Sequence, residues 1–493
     1  MANHDTPDWV RDAVFYQIFP DRFAISEQIP KPGPLAPWSS APTPSAYHGG
    51  DLLGVIERLD HLVDLGVTAI YMTPIFQSAS NHRYHTHDYE RVDPMLGGDR
   101  ALRKLLDTCH ARGLRVVLDG VFNHASRGFF PFHDILENGP DSPYRDWFLI
   151  KSFPLRAYDT EHPPNYAAWW GLPALPKFNI ACPAAREYLL KIAVKWVEYG
   201  IDGWRLDVAN EIDDDDFWRE FRHRVREVNP HAYIVGEVWA DARHWLEGDM
   251  WDAVMNYQFT RACVGFYIGD NVATDELKKT SLHPAGPAGA EAFRSKLEYL
   301  EQLYHPDIYA VMLNLIGSHD MARFLTLASG DRSALLLATL FQATYLGAPS
   351  IYYGDEIGLS GGHDPANRGA FPWSAPESWD HETLDAFRRY FQLRRERASL
   401  RRGSFEFLEA TGDVLAFLRQ LEDDIVVVVQ NVGHATSRVD LRLGERLRVG
   451  TILKEYWGDG ALRVCEGLAS ELTLSPRSSR VFATPLPGVL NRL

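Results

Sequence analysis

The feature that most limits what this 493-residue chain can fold into is a repeated alternation of short apolar runs with helix-length amphipathic stretches. Apolar runs fall at 13–20, 68–73, 115–122, 203–209, 233–239, 253–257, 309–317 and 349–354. Helical spacing marks about 51–65, 99–112, 184–199, 215–228, 290–304, 331–345 and 382–398. Strands separated by helices predict parallel pairing, because parallel neighbours need a crossover of a dozen or more residues. Eight of them predict a closed (β/α)8 barrel, a TIM barrel of the α/β class. The rival is an open doubly wound sheet, which places a glycine-rich phosphate turn after its first strand. Here Phe19-Pro20-Asp21-Arg22-Phe23 stands in that place.

Spacing refines the division. A barrel of about 250 residues allots roughly 31 residues to each βα unit. The interval from Asp207 to Glu237 fits, whereas that from Asn123 to Gly203 is far longer. The third connection therefore carries an inserted domain B at 124–181, rich in Pro, Trp, Tyr and Phe and poor in helical period, suited to form one wall of a cleft. After Ser404 the pattern turns to short alternating runs at 405–408, 414–419, 425–430 and 480–483, which predict an antiparallel β-sandwich. The expected domains are the barrel at 1–123 and 182–403, the insert at 124–181 and the C-terminal β domain at 404–493. The proline-rich passage 30–44 reads as an exposed loop.

Composition removes several function classes. A formal charge of -16 repels nucleic acid and anionic membrane surfaces. No run of about 18 apolar residues predicts a transmembrane helix, and the first residues lack the basic and apolar segments of a secretory signal. The four cysteines, Cys109, Cys182, Cys263 and Cys465, form no C-x-x-C pair, which argues against a zinc site and a disulfide framework and makes the cytoplasm the expected compartment. The 14 Trp and 21 Tyr will be mostly core, yet a sugar cleft would use some as flat apolar platforms.

Barrel enzymes build their sites at the C-terminal strand ends. There the sequence places Asp119, Asn123 and His124 after the third strand, Arg205 and Asp207 after the fourth, Glu237 after the fifth, and His319 and Asp320 after the seventh. A side-chain period of two sets Arg205 and Asp207 on one face of their strand. That pair reads either as a structural ion pair or as a nucleophile kept ionised by its guanidinium. Three carboxylates, Asp207, Glu237 and Asp320, would converge on one mouth. Two carboxyl groups flanking a bond, one ionised and one protonated, are the machinery of glycoside hydrolysis. Asp207 suits the ionised role. The like charge of Asp207 and the walls of Val235 and Trp239 would favour a protonated Glu237.

The runs Asp119-Gly-Val-Phe-Asn-His124, Gly203-Trp-Arg-Leu-Asp-Val-Ala-Asn-Glu211, Gly236-Glu-Val-Trp239 and Gly317-Ser-His-Asp320 resemble the four signature regions of the α-amylase family of retaining glycoside hydrolases, in order and spacing. The likeness covers about residues 12–400. It implies Asp207 as nucleophile, Glu237 as acid and base, and Asp320 as transition-state stabiliser. It implies Arg205, His124 and His319 as contacts to the same sugar, with Tyr84 stacked beneath it. Leu175-Pro-Lys-Phe-Asn179 is similar to the Met-Pro-Lys-Leu-Asn segment of neopullulanases and cyclomaltodextrinases. That resemblance assigns Asn210, Glu211, Trp239 and Tyr257 to the leaving-group side, and Asp364 and Arg368 to the non-reducing side. The activity implied is hydrolysis of α-1,4 bonds in maltodextrins or cyclodextrins, and of pullulan and starch. Transglycosylation is the runner-up, followed by a non-catalytic carbohydrate-binding scaffold.

Departures from that group carry their own expectations. Its members bear an N-terminal β domain that supports dimers, and only about a dozen residues precede the first strand here, so a monomer is expected. Its calcium loop follows Phe19-Pro20-Asp21-Arg22-Phe23, where Ala24-Ile-Ser-Glu-Gln28 offers few hard oxygens. Asp21 and Asp51 remain as calcium candidates, too few for six to eight ligands, so no cofactor is expected to be required. His85 stands where many relatives have Asp, and Met321-Ala322 where Thr and Glu are usual. His85-Thr-His87 also has the H-x-H form of metal-binding barrel hydrolases, but it sits inside the second βα loop, where a surface or core pair is the plainer reading.

Overall fold

The computed structural model describes residues 4–280, 282, 288–466 and 470–485. Its barrel strands are β1 (Phe15–Ile18), β2 (Ala69–Met72), β3 (Arg115–Gly120), β4 (Gly203–Leu206), β5 (Tyr233–Gly236), β6 (Ala253–Val254), β7 (Leu313–Leu315) and β8 (Ala348–Tyr352). They form one sheet in the order β6-β5-β4-β3-β2-β1-β8-β7. A parallel bridge from Met255 to Leu313 joins the two ends of that order, and the ring closes. The pairs from β1 to β6 are all parallel. These strands are buried along almost their whole length, as expected where helices cover a parallel sheet. Close register needs a glycine at one point: a Cβ on Gly203 would stand 2.2 Å from the backbone oxygen of Tyr233 on β5.

Every expected barrel strand exists, but most are shorter than the apolar runs that announced them. The run 253–257 yields two strand residues before Asn256 caps a helix, Tyr257–Cys263, through a side-chain bond from the Phe259 amide. The expected helix at 51–65 is two helices, Leu52–Glu57 and Leu59–Leu65, with Asp51 capping the first. The second βα connection holds an antiparallel hairpin, Phe76–Ser78 with Thr86–Val92, that alternation alone did not signal.

Contacts divide the chain into two compact units, 1–255 with 311–313 and 368–378, and 256–310 with 314–367 and 379–493. In the first, the stretch 124–181, read as poor in helical period, contains one α-helix, Phe130–Asn138. Its Pro131 lies in the first turn, where a missing N–H costs nothing, and Phe132 and Ile135 are its buried face. Isolated bridges Phe148 to Phe178, Ile150 to Tyr166 and Ala168 to Pro176 tie the rest together around an aromatic cluster.

The second unit ends in two antiparallel sheets. Six strands run in the order Ser404–Thr411, Val414–Leu421, Asp424–Asn431, Ser478–Ala483, Ile452–Glu455 and Ala461–Arg463, and two more, Ser437–Leu441 and Ser470–Leu474, pair separately. Val427, Val429, Leu453 and Phe482 of the larger sheet share one core with Leu441 and Leu474 of the smaller, the packing of a sandwich. Four of these strands were too short to be seen as alternation. Residues 467–469 and 486–493 of the expected C-terminal domain lie outside the described residues.

Candidate active site

The first unit gathers its charges around Arg205. Register on adjacent parallel strands sets Asp119 of β3 opposite Arg205 of β4, so both side chains point to the same side. Arg205 Nη1 lies 3.0 Å from each Asp119 oxygen and 2.9 Å from Asp207 Oδ1. Its Nη2 is 3.0 Å from Glu237 Oε2, and Nε donates to Met255 Sδ at 3.2 Å. One planar fork thus binds three carboxylates, which a lysine could not do. Burial works against the charge on Arg205, but Asp119 and Glu237 outweigh it and hold its pKa well above the ordinary value.

Asp119 is sealed, at 1% exposure, while Asp207 and Glu237 keep 8% and 6% and so face an opening. Besides Arg205, Asp119 Oδ2 accepts the hydroxyls of Tyr71 at 2.7 Å and Tyr84 at 2.8 Å. Burial raises the Asp119 pKa; Arg205 and the two hydroxyls pull the other way without cancelling it. Glu237 is ringed by donors. Its Oε2 accepts the Val208 amide at 2.9 Å and its Oε1 the Trp239 indole N–H at 3.1 Å. The apolar walls and like charge read from the sequence are therefore joined by three polar contacts that sequence did not reveal. Val208 adopts φ 39, ψ 44, a left-handed conformation that is an outlier for a β-branched residue. The strained residue is the one whose N–H meets Glu237, and strained backbone is common at functional sites.

His124 is buried, its carbonyl accepting the Tyr89 hydroxyl at 2.7 Å. Burial first, then the charges of His85 and Lys177, lower the imidazole pKa to about 3, so the ring is neutral at physiological pH. Its Nε2 and the neighbouring Asn123 Oδ1 are buried without a hydrogen-bond partner, which costs stability unless a ligand supplies one. Tyr84 is half-buried and anchored through its hydroxyl to Asp119, with His82 stacked on it at 5.8 Å. Asn210 and Glu211 lie on an exposed turn, Ala209–Glu211, where Lys177 Nζ binds Glu211 Oε2 at 2.9 Å. The Arg368 guanidinium lies over the Phe19 ring at 5.4 Å, and its carbonyl accepts from Arg22 at 3.0 Å.

In the second unit, Asp320 follows β7. Its Oδ1 lies 3.1 Å from His319 Nε2, and its Oδ2 accepts the Tyr257 hydroxyl at 3.5 Å. The same hydroxyl meets Ser318 Oγ at 3.2 Å. Asn367 Nδ2 donates to the carbonyls of Ser318, His319 and Met321 and fixes this loop. Buried Arg323 pairs with Asp355 at 2.7 Å between the rings of Tyr352 and Tyr353. Asp364 lies in the same unit, in a segment of turns.

The calcium candidates are already engaged. Asp21 accepts from Arg22 Nε at 2.8 Å, the His48 amide at 2.9 Å and the Gly49 amide at 3.2 Å. Asp51 Oδ1 caps its helix through the Gly54 amide at 2.8 Å, and its Oδ2 takes the Ser26 amide at 3.0 Å and Lys31 Nζ at 2.9 Å. Lys31 also donates to the Met95 carbonyl at 2.6 Å. An ammonium thus sits where oxygens would have to converge on a cation, and this donor set does not fit calcium. Among the described residues no group of three His, Cys, Asp or Glu is arranged to hold a metal. His85 packs edge-on against His82 at 4.9 Å, and a Cβ on Gly128 would meet His87 Nε2 at 2.6 Å.

Sequence reasoning set Asp119 at a strand end without giving it a role, and passed over Tyr71, Val208, Lys177 and Lys31. Asp119 had a usable signal: a charge inside an apolar strand needs a buried partner. The others depend on pairings between distant segments.

Comparison with known proteins places these residues in context. The family model described as "Alpha amylase, catalytic domain" matches residues 17–400. A cyclomaltodextrinase of a Bacillus species is 48% identical over 435 residues, 87% of this chain and 74% of that protein. Neopullulanase 2 of Thermoactinomyces vulgaris is 43% identical over 444 residues, 89% and 72% of the two chains. The native crystal structure of a Nostoc punctiforme debranching enzyme superposes with a TM-score of 0.88 at 46% identity, covering 97% of this chain and 99% of that one. Among the described residues no helix is long and apolar enough to cross a membrane.

Proposed function

This chain belongs to the α-amylase family of glycoside hydrolases, and from that premise we propose that it cleaves α-1,4-glucosidic bonds of maltodextrins and cyclodextrins, with pullulan and starch as further substrates. The observation that carries this reading is the single guanidinium of Arg205 gripping Asp207 and Glu237 together. Two carboxyl groups held on one fork supply the pair that a retaining glycosidase uses as nucleophile and as acid and base. Asp207 attacks the anomeric carbon and the C–O bond breaks as Glu237 gives its proton to the leaving oxygen. Glu237 then takes a proton from water, whose oxygen displaces Asp207. His124 Nε2 and Asn123 Oδ1 offer the sugar the hydrogen bonds they lack in its absence. Tyr84 supports the ring from below. Asp320, with His319 and Tyr257, binds sugar hydroxyls in the distorted transition state. Trp239, Asn210 and Glu211 serve the leaving-group side, and Asp364 and Arg368 the opposite one.

On this reading Lys31 supplies the positive charge that buried Asp51 needs, and no calcium is required. The protein works in the cytoplasm, with an α-glucan as its partner and neither nucleic acid nor membrane. Replacing Glu237 with Gln tests the core of the proposal. The variant should lose turnover of maltotriose, β-cyclodextrin, pullulan and starch by at least about 10³-fold, with its melting curve unchanged. Unaltered hydrolysis by Glu237→Gln would refute the assignment. Proton NMR of the first product from the unmodified enzyme should show the α-anomer.

A further inference from the structure

Trp170 is an apolar side chain the chain leaves out in solvent, 79% exposed. Isolated exposed rings need no explanation, but this one is built into a series. Its indole lies flat on Trp169, with centroids 4.5 Å apart and planes 12° from parallel. Trp169 in turn lies flat on the His124 imidazole, at 5.3 Å and 16°. Three parallel rings therefore lead from the buried, unpartnered Nε2 of His124 to the surface. Trp170 reaches its place at φ 50, ψ 21, a left-handed conformation that only a few per cent of non-glycine residues adopt. The turn is closed by bonds from the Gly171 amide to Ala168 and from the Trp169 amide to Leu175, which hold the strained residue in place.

Space follows the stack along the chain, although none of the three rings lines it. A cavity of about 690 Å3 is lined by 171–175, directly after Trp170, and by His85, Arg127 and the exposed ring of Tyr158. That volume falls within the usual range for small-molecule sites. Glucose presents axial C–H groups on one face and a rim of hydroxyls, so it pairs with a flat indole face flanked by polar groups.

We propose that Trp170, supported by Trp169, is a stacking platform for a glucosyl unit outside the cleavage site, and so sets a preference for longer linear α-glucans. This rests on the α-glucan reading of the site around Asp207 and Glu237. It adds a binding position that the reading of the signature motifs does not contain. Trp170 touches no reacting group, so its loss should act on binding and leave the chemical step alone.

The test uses the full chain carrying Glu237→Gln, which allows glucan binding to be measured without turnover, with and without Trp170→Ala. Titration calorimetry with maltoheptaose should show about tenfold weaker binding in the double variant, with maltotriose binding unchanged and the melting temperature within a degree. Trp170→Phe should recover part of the lost affinity. In the active enzyme, Trp170→Ala should raise KM for maltoheptaose about tenfold at constant kcat. Equal maltoheptaose affinity with and without the indole would overturn the platform, as would equal losses for both sugars or no maltoheptaose binding at all. Failure of the hydrolase reading is distinguishable, because it would appear as absent turnover in the unmodified enzyme while the binding difference persists.

Discussion

Replacing Arg205 with Lys isolates what the guanidinium fork contributes. Arg205 is fully buried and contacts both oxygens of Asp119 at 3.0 Å, Asp207 at 2.9 Å and Glu237 at 3.0 Å. An ammonium keeps the charge but is a compact point on a flexible stem, and it cannot span three carboxylates. At least two charge-assisted contacts are lost, each contributing about 1.5–3 kcal/mol. If about 3 kcal/mol of that is lost from the transition state, kcat/KM falls about 10²-fold, at about 1.4 kcal/mol per decade. Stability should fall by a similar 3 kcal/mol. With an unfolding entropy of roughly 1 kcal/mol/K for a chain of this length, that lowers the melting temperature by about 3 °C. Arg205→Met removes the charge as well and strands buried Asp119, so its melting temperature should drop further for a comparable loss of rate. Initial rates on maltotriose and calorimetric melts of both variants supply the comparison. An Arg205→Lys enzyme that keeps more than half of its kcat/KM would refute the claim that one fork positions both carboxyl groups.

Other consequences follow from the same geometry. The His124 pKa is depressed to about 3 by burial, so between pH 6.5 and that value the unfolded chain binds a proton that the folded chain does not. Stability is full above pH 6.5 and declines as pH falls. By pH 5 this one ring costs about 2 kcal/mol, and urea midpoints of His124→Asn should show a correspondingly flatter slope on the acid side. Lys31→Met should destabilise the fold by about 3–5 kcal/mol, because it leaves Asp51 buried with its amide donors but without its cation. Neither calcium nor a chelator should move the melting temperature of the unmodified protein; a calcium-dependent rise of several degrees would show that Lys31 does not stand in for the ion.

What was legible in the sequence divides by the range of the interactions concerned. Barrel strands announce themselves because burial on both faces demands continuous apolar runs, and the residues just past them are where a barrel places its chemistry. Arg205, Asp207, Glu237, His319 and Asp320 could therefore be named from order alone. Strand ends were less legible. Asn256 caps a helix two residues after β6, and the apolar run gave no notice of that cap. The helix of the insert was hard to read for a related reason: Phe130–Asn138 is short and aromatic, so a 3.6-residue period had little length in which to emerge.

The features that remained hidden join segments far apart in the chain, and they are the ones that convert a list of residues into a site. Lys31 finds Asp51 across twenty positions, Lys177 finds Glu211 across 34, and Tyr84 reaches Asp119 across 35. None of these pairs has a local spacing to betray it. Val208 is a sharper case, because sequence argues against what it does: a β-branched residue resists a left-handed conformation. Its φ of 39 holds because Asp207 before it is tied to Arg205 and its own amide is tied to Glu237. Local preference is overruled where two catalytic candidates must meet, and a like conflict occurs at Trp170, whose ring stands in solvent. Arg83, Ser329, Glu422 and Arg477 also take positive φ, so a left-handed residue points to substrate contact only where, as at Val208 and Trp170, it stands beside groups that could meet a sugar.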